Sequence, residues 1–450
     1  MPNLSLRPWI AFGVATSFAV ALAQLSACAE GTLQESTDAA PDVVFHPRPG
    51  GGGASDASTV VCTANPCVVG IALGGSHTCA LIKDGSVLCW GDNVAGELGP
   101  SSDAGVVLSQ SSTPRAVSGI SGAFQVAAGG VFTSGTADYD MTCAATGTGP
   151  LCWGSNQYAL LGRGPAYPPD TVAHPDLAPV TTLTTGANLA IGQTNACALL
   201  GSSFACWGEN SYSQLGVIDS GTTSSAPITM QLPGGKKVIQ AALGYGHVCA
   251  VLDDQTVACW GYDYYGQCGT TYTTSSYSLP TPTLVPGLSG VTHVAAGSYH
   301  TCALTAAGAI MCFGYNYGGL LGGGDDGGTS SSTPVTATLP AGRKATGIAA
   351  GEYSTCALLD DGTVACWGYN SFGQLGFMPD GGYGVQGTPT LVPGLAGVDQ
   401  IAMGAGSEHV CAVLHGGGLK CWGANQFGQL GSGTDGGTLA QSATPLDVQF

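Results

Sequence analysis

From residue 68 onward, short apolar runs alternate with clusters of turn residues, and no stretch has the period of about 3.6 residues that marks an amphipathic helix. The runs Cys-Ala-Leu-Leu at 356–359 and Thr-Val-Ala-Cys-Trp at 363–367, for example, flank the residues Asp-Asp-Gly. Glycine readily adopts the positive φ that a tight hairpin requires, so this pattern predicts two short antiparallel strands joined by a turn. We therefore expect an all-β protein.

This hairpin is one copy of an internal repeat. A Cys-Ala pair is followed nine or ten residues later by Cys-Trp-Gly or Cys-Phe-Gly in seven copies, whose second cysteines are Cys89, Cys152, Cys206, Cys259, Cys312, Cys366 and Cys421. Each copy continues into a tail such as 370–376 and then into a Thr-Pro segment such as Thr388-Pro389. An Ala-Ala-Gly segment such as 349–351 precedes the Cys-Ala pair. About four short strands per period of this length predict one blade of a β-propeller.

The two ends of the chain predict how seven blades close into a ring. The first copy begins at about Val68 without a Thr-Pro strand, whereas the last copy is followed by such a strand at 444–450. We predict that the N- and C-terminal strands share one blade, because such closure removes an exposed sheet edge. An open solenoid is the alternative, and it would need capping repeats.

The repeat resembles that of the regulator of chromosome condensation family, whose pattern is A-A-G-x-x-H-x-x-A-L-x-x-D-G-x-V-x-x-W-G-x-N-x-x-G-Q-L-G. The resemblance covers residues 68–450 and implies a seven-bladed propeller. The family's nuclear founder is a guanine-nucleotide exchange factor that binds chromatin, and bacterial relatives include secreted proteins and a proteinaceous β-lactamase inhibitor. The founder's exchange loops cannot be identified in this sequence, so exchange activity is implied by family analogy alone.

This sequence departs from the founder in its paired cysteines. The two cysteines of a hairpin are ten residues apart in five copies and nine apart in two, and the turn shortens by one residue where the spacing does. Opposed residues of an antiparallel pair have Cα atoms about 4.5–5.5 Å apart, which is within disulfide range. We predict one disulfide per blade, with buried free cysteines as the alternative, at Cys79–Cys89, Cys143–Cys152, Cys197–Cys206, Cys249–Cys259, Cys302–Cys312, Cys356–Cys366 and Cys411–Cys421.

Four cysteines lie outside the hairpins. Cys62 and Cys67 flank Asn65-Pro66, and we predict a short disulfide between them that attaches the N-terminal segment to the first blade. Cys268 replaces the leucine of the Gln-Leu-Gly tail, and we expect it to be buried as a small apolar residue.

The remaining cysteine, Cys28, belongs to an N-terminal targeting segment. Arg7 precedes an apolar stretch at 9–23, and Leu-Ser-Ala-Cys follows at 25–28. This arrangement resembles the lipobox of bacterial lipoproteins, which implies a signal peptide at 1–27 and lipidation of Cys28. Ordinary secretion, with cleavage after Ala23, is the alternative. Both interpretations place the mature protein outside the cytoplasm, and Ala29 favours the outer membrane for a lipoprotein.

Composition sets the remaining limits. Residues 28–67 are rich in glycine, proline and alanine and have no regular period, so we expect a flexible tether. With 10 Lys and Arg against 28 Asp and Glu, the net charge is −18. Nucleic-acid binding requires clustered basic residues, so the sequence excludes it.

Catalytic and metal-binding motifs are not recognisable. His77, His247, His300 and His409 lie two residues before the first cysteine of their hairpins, and the family pattern has the same histidine, so we expect a hydrogen bond within each blade rather than a metal site. The cysteine pairs lack C-x-x-C spacing, and we expect no cofactor. Asp325-Asp326 lacks EF-hand spacing, so a solvated loop is the first interpretation and weak Ca²⁺ binding the second.

Tyrosine is concentrated in the fourth to sixth copies. Tyr262, Tyr315 and Tyr369 share one repeat position, directly after Cys-[Trp/Phe]-Gly, and Tyr264, Tyr265 and Tyr317 follow closely. Equivalent loops of a propeller emerge on one face, and tyrosine with Ser, Gly and Asn is typical of recognition surfaces. We predict that these six tyrosines bind a partner; packing between blades is the alternative.

Together these features predict a monomeric lipoprotein of the outer membrane or cell surface. It would attach to the membrane through its lipid and act as a non-catalytic scaffold for an extracytoplasmic protein or glycan. A lyase or hydrolase with catalytic residues on the propeller loops is the first alternative, and a guanine-nucleotide exchange factor is the second.

Overall fold

The fold is known from a computed structural model, which describes residues 62–101, 108–130, 139–184, 187–217, 221–270, 277–324, 328–378, 384–434 and 439–450. The predicted signal peptide, Cys28, the tether up to residue 61 and Asp325-Asp326 therefore lie outside the described residues.

Seven four-stranded antiparallel sheets make up the described chain, and each is built from four consecutive strands. The first strands of neighbouring sheets pack against one another all the way round, so the sheets form the predicted seven-bladed ring. These first strands are β1 (Val68–Leu73), β5 (Ala123–Gly129), β9 (Asn188–Ile191), β13 (Val238–Leu243), β17 (Val291–Ala296), β21 (Ala345–Ala350) and β25 (Val398–Met403).

The Cys-Ala and Cys-[Trp/Phe]-Gly segments form the central hairpin of each blade. The second strands are β2 (His77–Ile82), β6 (Met141–Thr146), β10 (Asn195–Leu200), β14 (His247–Leu252), β18 (His300–Thr305), β22 (Ser354–Leu359) and β26 (His409–Leu414). The third strands are β3 (Val87–Asp92), β7 (Gly149–Ser155), β11 (Ser203–Glu209), β15 (Val257–Tyr262), β19 (Ile310–Gly314), β23 (Val364–Tyr369) and β27 (Leu419–Ala424).

The Thr-Pro segment forms the fourth strand of its own blade. These strands are β4 (Gln110–Ala116), β8 (Ala173–Pro179), β12 (Thr223–Thr229), β16 (Ser278–Leu284), β20 (Ser331–Thr336), β24 (Val385–Leu391) and β28 (Gln441–Asp447). The helical content of the described residues is two short 3-10 turns, Gln157–Ala159 and Pro233–Gly235.

The prediction that the terminal strands share a blade is wrong. Strand β28 pairs with β27 in the last blade, and β1 pairs with β2 in the first. Each repeat therefore starts at its Ala-Ala-Gly strand and ends at its Thr-Pro strand. Every blade, including the first and the last, is complete with four consecutive strands.

The ring closes instead through side-chain packing and a short N-terminal segment, residues 62–67, which we call the clasp. The amides of Thr63 and Ala64 donate to Gly416 O in the last blade at 3.1 and 3.0 Å. Cys67 O accepts from the amide of Lys83 in the first blade at 3.0 Å. The clasp thus joins the first and last blades, and it belongs to the folded unit rather than to the predicted tether.

The structure contains the eight disulfides that the sequence predicts. In the seven hairpins the paired cysteines lie directly opposite each other, with Cα atoms 4.0 to 4.1 Å apart. Cys62 and Cys67 form the eighth, within the clasp. Cys268 is a free, fully buried thiol, in agreement with its expected packing role.

The tryptophan of Cys-Trp-Gly joins each blade to the one before it. Its indole N–H donates across the interface to a main-chain carbonyl in the tail of the preceding blade at 2.8 to 3.0 Å, as in Trp90, Trp153, Trp207, Trp260, Trp367 and Trp422. The fifth blade has Phe313 instead, which has no donor. There the carbonyl of Gln267 accepts from Thr301 Oγ1 at 2.8 Å.

Steric crowding requires glycine at the position after the tryptophan. Gly368 has φ +106°, and a Cβ at this position would lie 2.5 Å from Tyr353 O. The third strand bulges at this residue, where its pairing with the fourth strand shifts register. Only glycine allows the third strand to pass this closely beside the turn between the first and second strands.

Candidate functional site

Two sets of connections emerge on the same side of the ring. The first and third strands of a blade run in the same direction, so the turn after the first strand and the loop after the third lie at the same end of the sheet. We call this side the loop face. The central hairpin turns and the links between blades lie on the opposite face.

Eleven tyrosines form one continuous group on the loop face of blades three to six. Each ring centroid lies 4.7 to 6.4 Å from at least one other in the group. We call this group the tyrosine cluster, and its members are Tyr212, Tyr245, Tyr262, Tyr264, Tyr265, Tyr277, Tyr299, Tyr315, Tyr317, Tyr353 and Tyr369.

The cluster crosses three blade interfaces. Tyr212 of blade three lies 4.7 Å, centroid to centroid, from Tyr262 of blade four. Tyr265 of blade four lies 4.7 Å from Tyr315 of blade five. Tyr317 of blade five lies 6.0 Å from Tyr369 of blade six. The surface is therefore composite, because no single blade supplies it.

All six tyrosines predicted from the sequence belong to the cluster. Tyr262 and Tyr369 end the third strands of their blades, and Tyr315 follows directly after one, so equivalent repeat positions place them side by side. Tyr264, Tyr265 and Tyr317 lie in the tail turns that follow.

Sequence reasoning missed the other five members. Tyr212 lies at the same tail position as Tyr265, so the repeat alignment contains the signal for it. Tyr245, Tyr299 and Tyr353 lie in the turn after the first strand, one or two residues before the second strand. These turns are far in sequence from the tails that they meet, and only the blade geometry brings the two sets together.

Exposure differs within the cluster. Tyr264, Tyr277 and Tyr317 are 45%, 57% and 59% exposed, whereas Tyr299 is 8% exposed and lies among its neighbours' rings. Packing between blades therefore describes buried members such as Tyr299, and partner binding by the six tyrosines named from the sequence stays a prediction. Burial raises the pKa of Tyr369 to about 12 and also raises the pKa of Tyr299, so these hydroxyls stay protonated at neutral pH.

Three glutamates lie on the loop face together with the tyrosines. Glu209 ends the third strand of blade three, at the repeat position that Tyr262 occupies in blade four. Glu352 and Glu408 lie in the turns after the first strands of blades six and seven. Burial raises the pKa of Glu408 to about 7. Burial, with the nearby Glu408 carboxylate, raises the pKa of Glu352 well above its usual range.

The four repeat histidines bond across blade interfaces, which corrects the sequence prediction; His409 also makes the expected contact within its own blade, where its Nδ1 lies 2.9 Å from Ser407 Oγ. The Nε2–H of His247 donates to Thr301 Oγ1 in the next blade at 3.0 Å, and that of His300 donates to Thr355 at 2.9 Å. His77 and His409 make the same contact with Thr142 and Thr78. Burial lowers the pKa of His247 to about 3, so its ring is neutral.

The histidine occurs only in blades whose following blade has a threonine at the contact position. In the three other copies the residue at the histidine position is Met141, Asn195 or Ser354. The next blade then has Ala196, Val248 or Val410 at the threonine position. A buried imidazole N–H needs an acceptor, so the histidine appears only opposite a hydroxyl. These histidines therefore join blades.

Metal clusters and membrane-spanning helices are both absent from the described ranges. Within them, no three His, Cys, Asp or Glu side chains are grouped closely enough to hold a metal ion. They also contain no helix of the length and apolarity needed to cross a bilayer.

Comparison with known families agrees with the repeat and the ring. The RCC1-like domain matches residues 139–449, and the regulator of chromosome condensation (RCC1) repeat matches residues 68–97. The chain therefore belongs to the RCC1-like family of seven-bladed propellers.

Eukaryotic proteins are among those similar to this chain. The chain is 28% identical to the ultraviolet-B receptor UVR8 of Arabidopsis thaliana, over 84% of this chain and 82% of the receptor. It is 26% identical to protein pim1 of Schizosaccharomyces pombe, over 87% of this chain and 64% of pim1. The structure of Prp20p from Saccharomyces cerevisiae, studied for binding to Gsp1p and histones, superimposes with a TM-score of 0.65 at 20% identity, covering 84% and 88% of the two chains.

Proposed function

We propose that this chain is a non-catalytic binding scaffold, which holds an extracytoplasmic protein or glycan on the tyrosine cluster. The observation that carries this proposal is the cluster itself, which spans four blades and leaves Tyr264, Tyr277 and Tyr317 about half exposed. A contiguous exposed aromatic patch often marks an interaction site, whereas single exposed apolar residues are common and have no such meaning.

Tyrosine suits such a role physically. Its ring offers a large contact area, and its two side-chain torsions cost little entropy when they are fixed on binding. In the cluster the exposed rings rest on buried ones, since Tyr264 contacts Tyr262 and Tyr265, which both contact Tyr299. The exposed side chains are therefore already held in place before a partner arrives, which lowers the entropy cost of binding.

The proposed location is outside the cytoplasm, with a lipid on Cys28 as the anchor. Eight disulfides in one chain fit an oxidising compartment, because cytosolic thiols are kept reduced. Metabolic labelling with radioactive palmitate tests the anchor. We expect label in the wild-type protein and none in a Cys28→Ala variant; label in both would contradict the assignment.

The binding role is tested by removing the exposed rings. We expect the triple variant Tyr264→Ser, Tyr277→Ser and Tyr317→Ser to lose cell-surface components that the immobilised wild-type protein retains. The exposed rings contribute little to the core, so the fold should persist, and circular dichroism checks this.

A tyrosine outside the cluster supplies the control. Tyr167 is 55% exposed and lies in blade two. Tyr167→Ser should retain every component that the wild type retains. Equal retention by the triple variant would contradict the proposed function.

A further inference from the structure

The loop face of blades three to six has no positive charge among its described residues. The turns and loops there contain neither lysine nor arginine. The basic residues of these blades lie in links on the opposite face, where Lys236 pairs with Asp254 and Arg343 with Asp361. Arg163, the basic residue in the described loops of blade two, pairs with Asp176. The tyrosine cluster therefore lies in a negative region of an already acidic protein.

Carboxyl groups are interleaved with the rings of the cluster. The charge of Glu209 acts on Tyr245, and that of Glu352 acts on Tyr299 and Tyr353. Burial is the main cause of the raised pKa of each of these tyrosines, and the negative charges add to it. The negative groups are thus within electrostatic range of the rings, and a ligand on the cluster would meet both.

Glu352 and Glu408 lie in equivalent turns of neighbouring blades, after the first strands β21 and β25, which pack against each other, and joint ionisation of the two carboxyls is unfavourable. Both are partly buried, and the negative charge of Glu408 adds to the cost of ionising Glu352. A positive charge placed between them would offset this repulsion and the cost of burial. The pair therefore favours a cationic ligand at the end of the cluster next to blade seven.

Arginine matches this chemistry best. A guanidinium group stacks on aromatic faces and donates paired hydrogen bonds to carboxylates. A neutral glycan could also stack on the tyrosines, but it carries no positive charge that would favour ionisation of these partly buried carboxyl groups. We infer that the tyrosine cluster recognises an arginine-bearing segment of a partner protein. This step rests on the proposed binding function.

The test titrates the full-length protein calorimetrically with three probes. They are a peptide of alternating arginine and glycine, the same peptide with citrulline at every arginine, and a neutral hexasaccharide of N-acetylglucosamine. Citrulline keeps the shape of arginine but removes its charge. We expect the arginine peptide to bind, the citrulline peptide to bind at least about tenfold more weakly, and added salt to weaken only the former.

Variants of the carboxyl pair test the same point from the protein side. The double variant Glu352→Gln and Glu408→Gln keeps shape and polarity, and we expect it to bind the arginine peptide at least about fivefold more weakly. Its affinity for the citrulline peptide should not change. Asp84→Asn on the opposite face serves as the matched control and should bind like the wild type.

Each contrary outcome overturns the inference in a distinct way. Equal affinity for both peptides, or no effect of the double variant, removes the role of charge. No binding of the arginine peptide removes the inference altogether. Hexasaccharide binding that depends on Tyr264 and Tyr317 would assign a glycan instead, and the proposed scaffold function would stand. Only equal partner retention by the triple tyrosine variant contradicts that function.

Discussion

At the residue scale, single hydrogen bonds across blade interfaces distinguish otherwise similar repeats. Where the second strand has a threonine, the tail carbonyl accepts two donors, as Glu97 O does from Trp153 at 2.8 Å and Thr142 at 2.9 Å. Where that position is valine, the indole is the donor, as Trp422 is for Gln374 O at 3.0 Å. The equivalent tail carbonyl oxygen therefore accepts two hydrogen bonds at one interface and one at the other.

This difference predicts unequal effects of the same substitution. Trp422→Phe should leave Gln374 O buried without a donor and lower the free energy of unfolding by about 1–3 kcal/mol more than Trp153→Phe. Both tryptophans are fully buried, so the loss of packing is similar and the comparison isolates the hydrogen bond. Chemical denaturation of the two variants measures it, and equal destabilisation would contradict this account.

The Glu408 carboxyl makes a second residue-scale prediction. Its pKa in the folded chain is about 7, compared with 4.5 for an ordinary glutamate. Between these pH values the folded chain holds a proton that the unfolded chain has released, so stability falls as pH rises. This contribution is fully present below pH 4.5 and is lost as pH rises through 7.

Glu408→Gln removes this titration. The melting temperature of the variant relative to wild type should therefore rise from pH 5 to pH 8. The Asp84 carboxyl, whose pKa is lowered by hydrogen bonds from Ser86, is ionised throughout that range. Asp84→Asn should show a constant difference from wild type, and a constant difference for Glu408→Gln would contradict the prediction.

At the element scale, the hairpins follow directly from sequence. The apolar runs on both sides of Asp-Asp-Gly locate the hairpin turn. The position of the turn then determines which cysteines lie opposite each other. The Cys356 and Cys366 pairing that results is the one in the structure. The histidine contacts could not be obtained this way, because their acceptors lie in the next blade, about 55 residues away. Comparing Thr355 with Val410 across copies would have indicated them.

The disulfides predict a definite thiol count. Sixteen of the 18 cysteines are paired, Cys268 is free, and Cys28 lies outside the described residues. Under denaturing, non-reducing conditions we expect one reactive thiol per chain if Cys28 is lipidated and two if it is not. About fourteen additional thiols would contradict the cross-strand bridges.

Removing one bridge tests its contribution to stability. Cys356→Ala with Cys366→Ala opens a loop of about ten residues and should lower the free energy of unfolding by about 2–3 kcal/mol. The comparison is with wild type under oxidising conditions. After full reduction of both proteins the difference should largely disappear, and a difference that persisted would assign the effect to packing instead.

At the scale of the whole molecule, seven similar blades produce an asymmetric surface. The central hairpins keep the glycine and the paired cysteines in every blade and the tryptophan in six of seven, whereas the turns and tails vary. Tyrosines occupy these variable positions in blades three to six, and basic residues are absent from the described loops there. The six tyrosines predicted from sequence lie at the end of a third strand or in the tail that follows, as Tyr212 does, whereas Tyr245, Tyr299 and Tyr353 join the site only through the packing of neighbouring blades.

Ring closure gives the last prediction. The interface between the last and first blades has the same side-chain bonds as that between blades one and two, including Trp90 Nε1 to Gln429 O at 2.9 Å. The clasp adds main-chain hydrogen bonds to this interface, from the amides of Thr63 and Ala64 to Gly416 O. A chain that begins at residue 68 should therefore stay folded, melt at a lower temperature than one beginning at 62, and exchange amide hydrogens faster in β1 and in the turn at Gly416. Faster exchange spread over all seven blades, or none at all, would show that the clasp does not hold this interface.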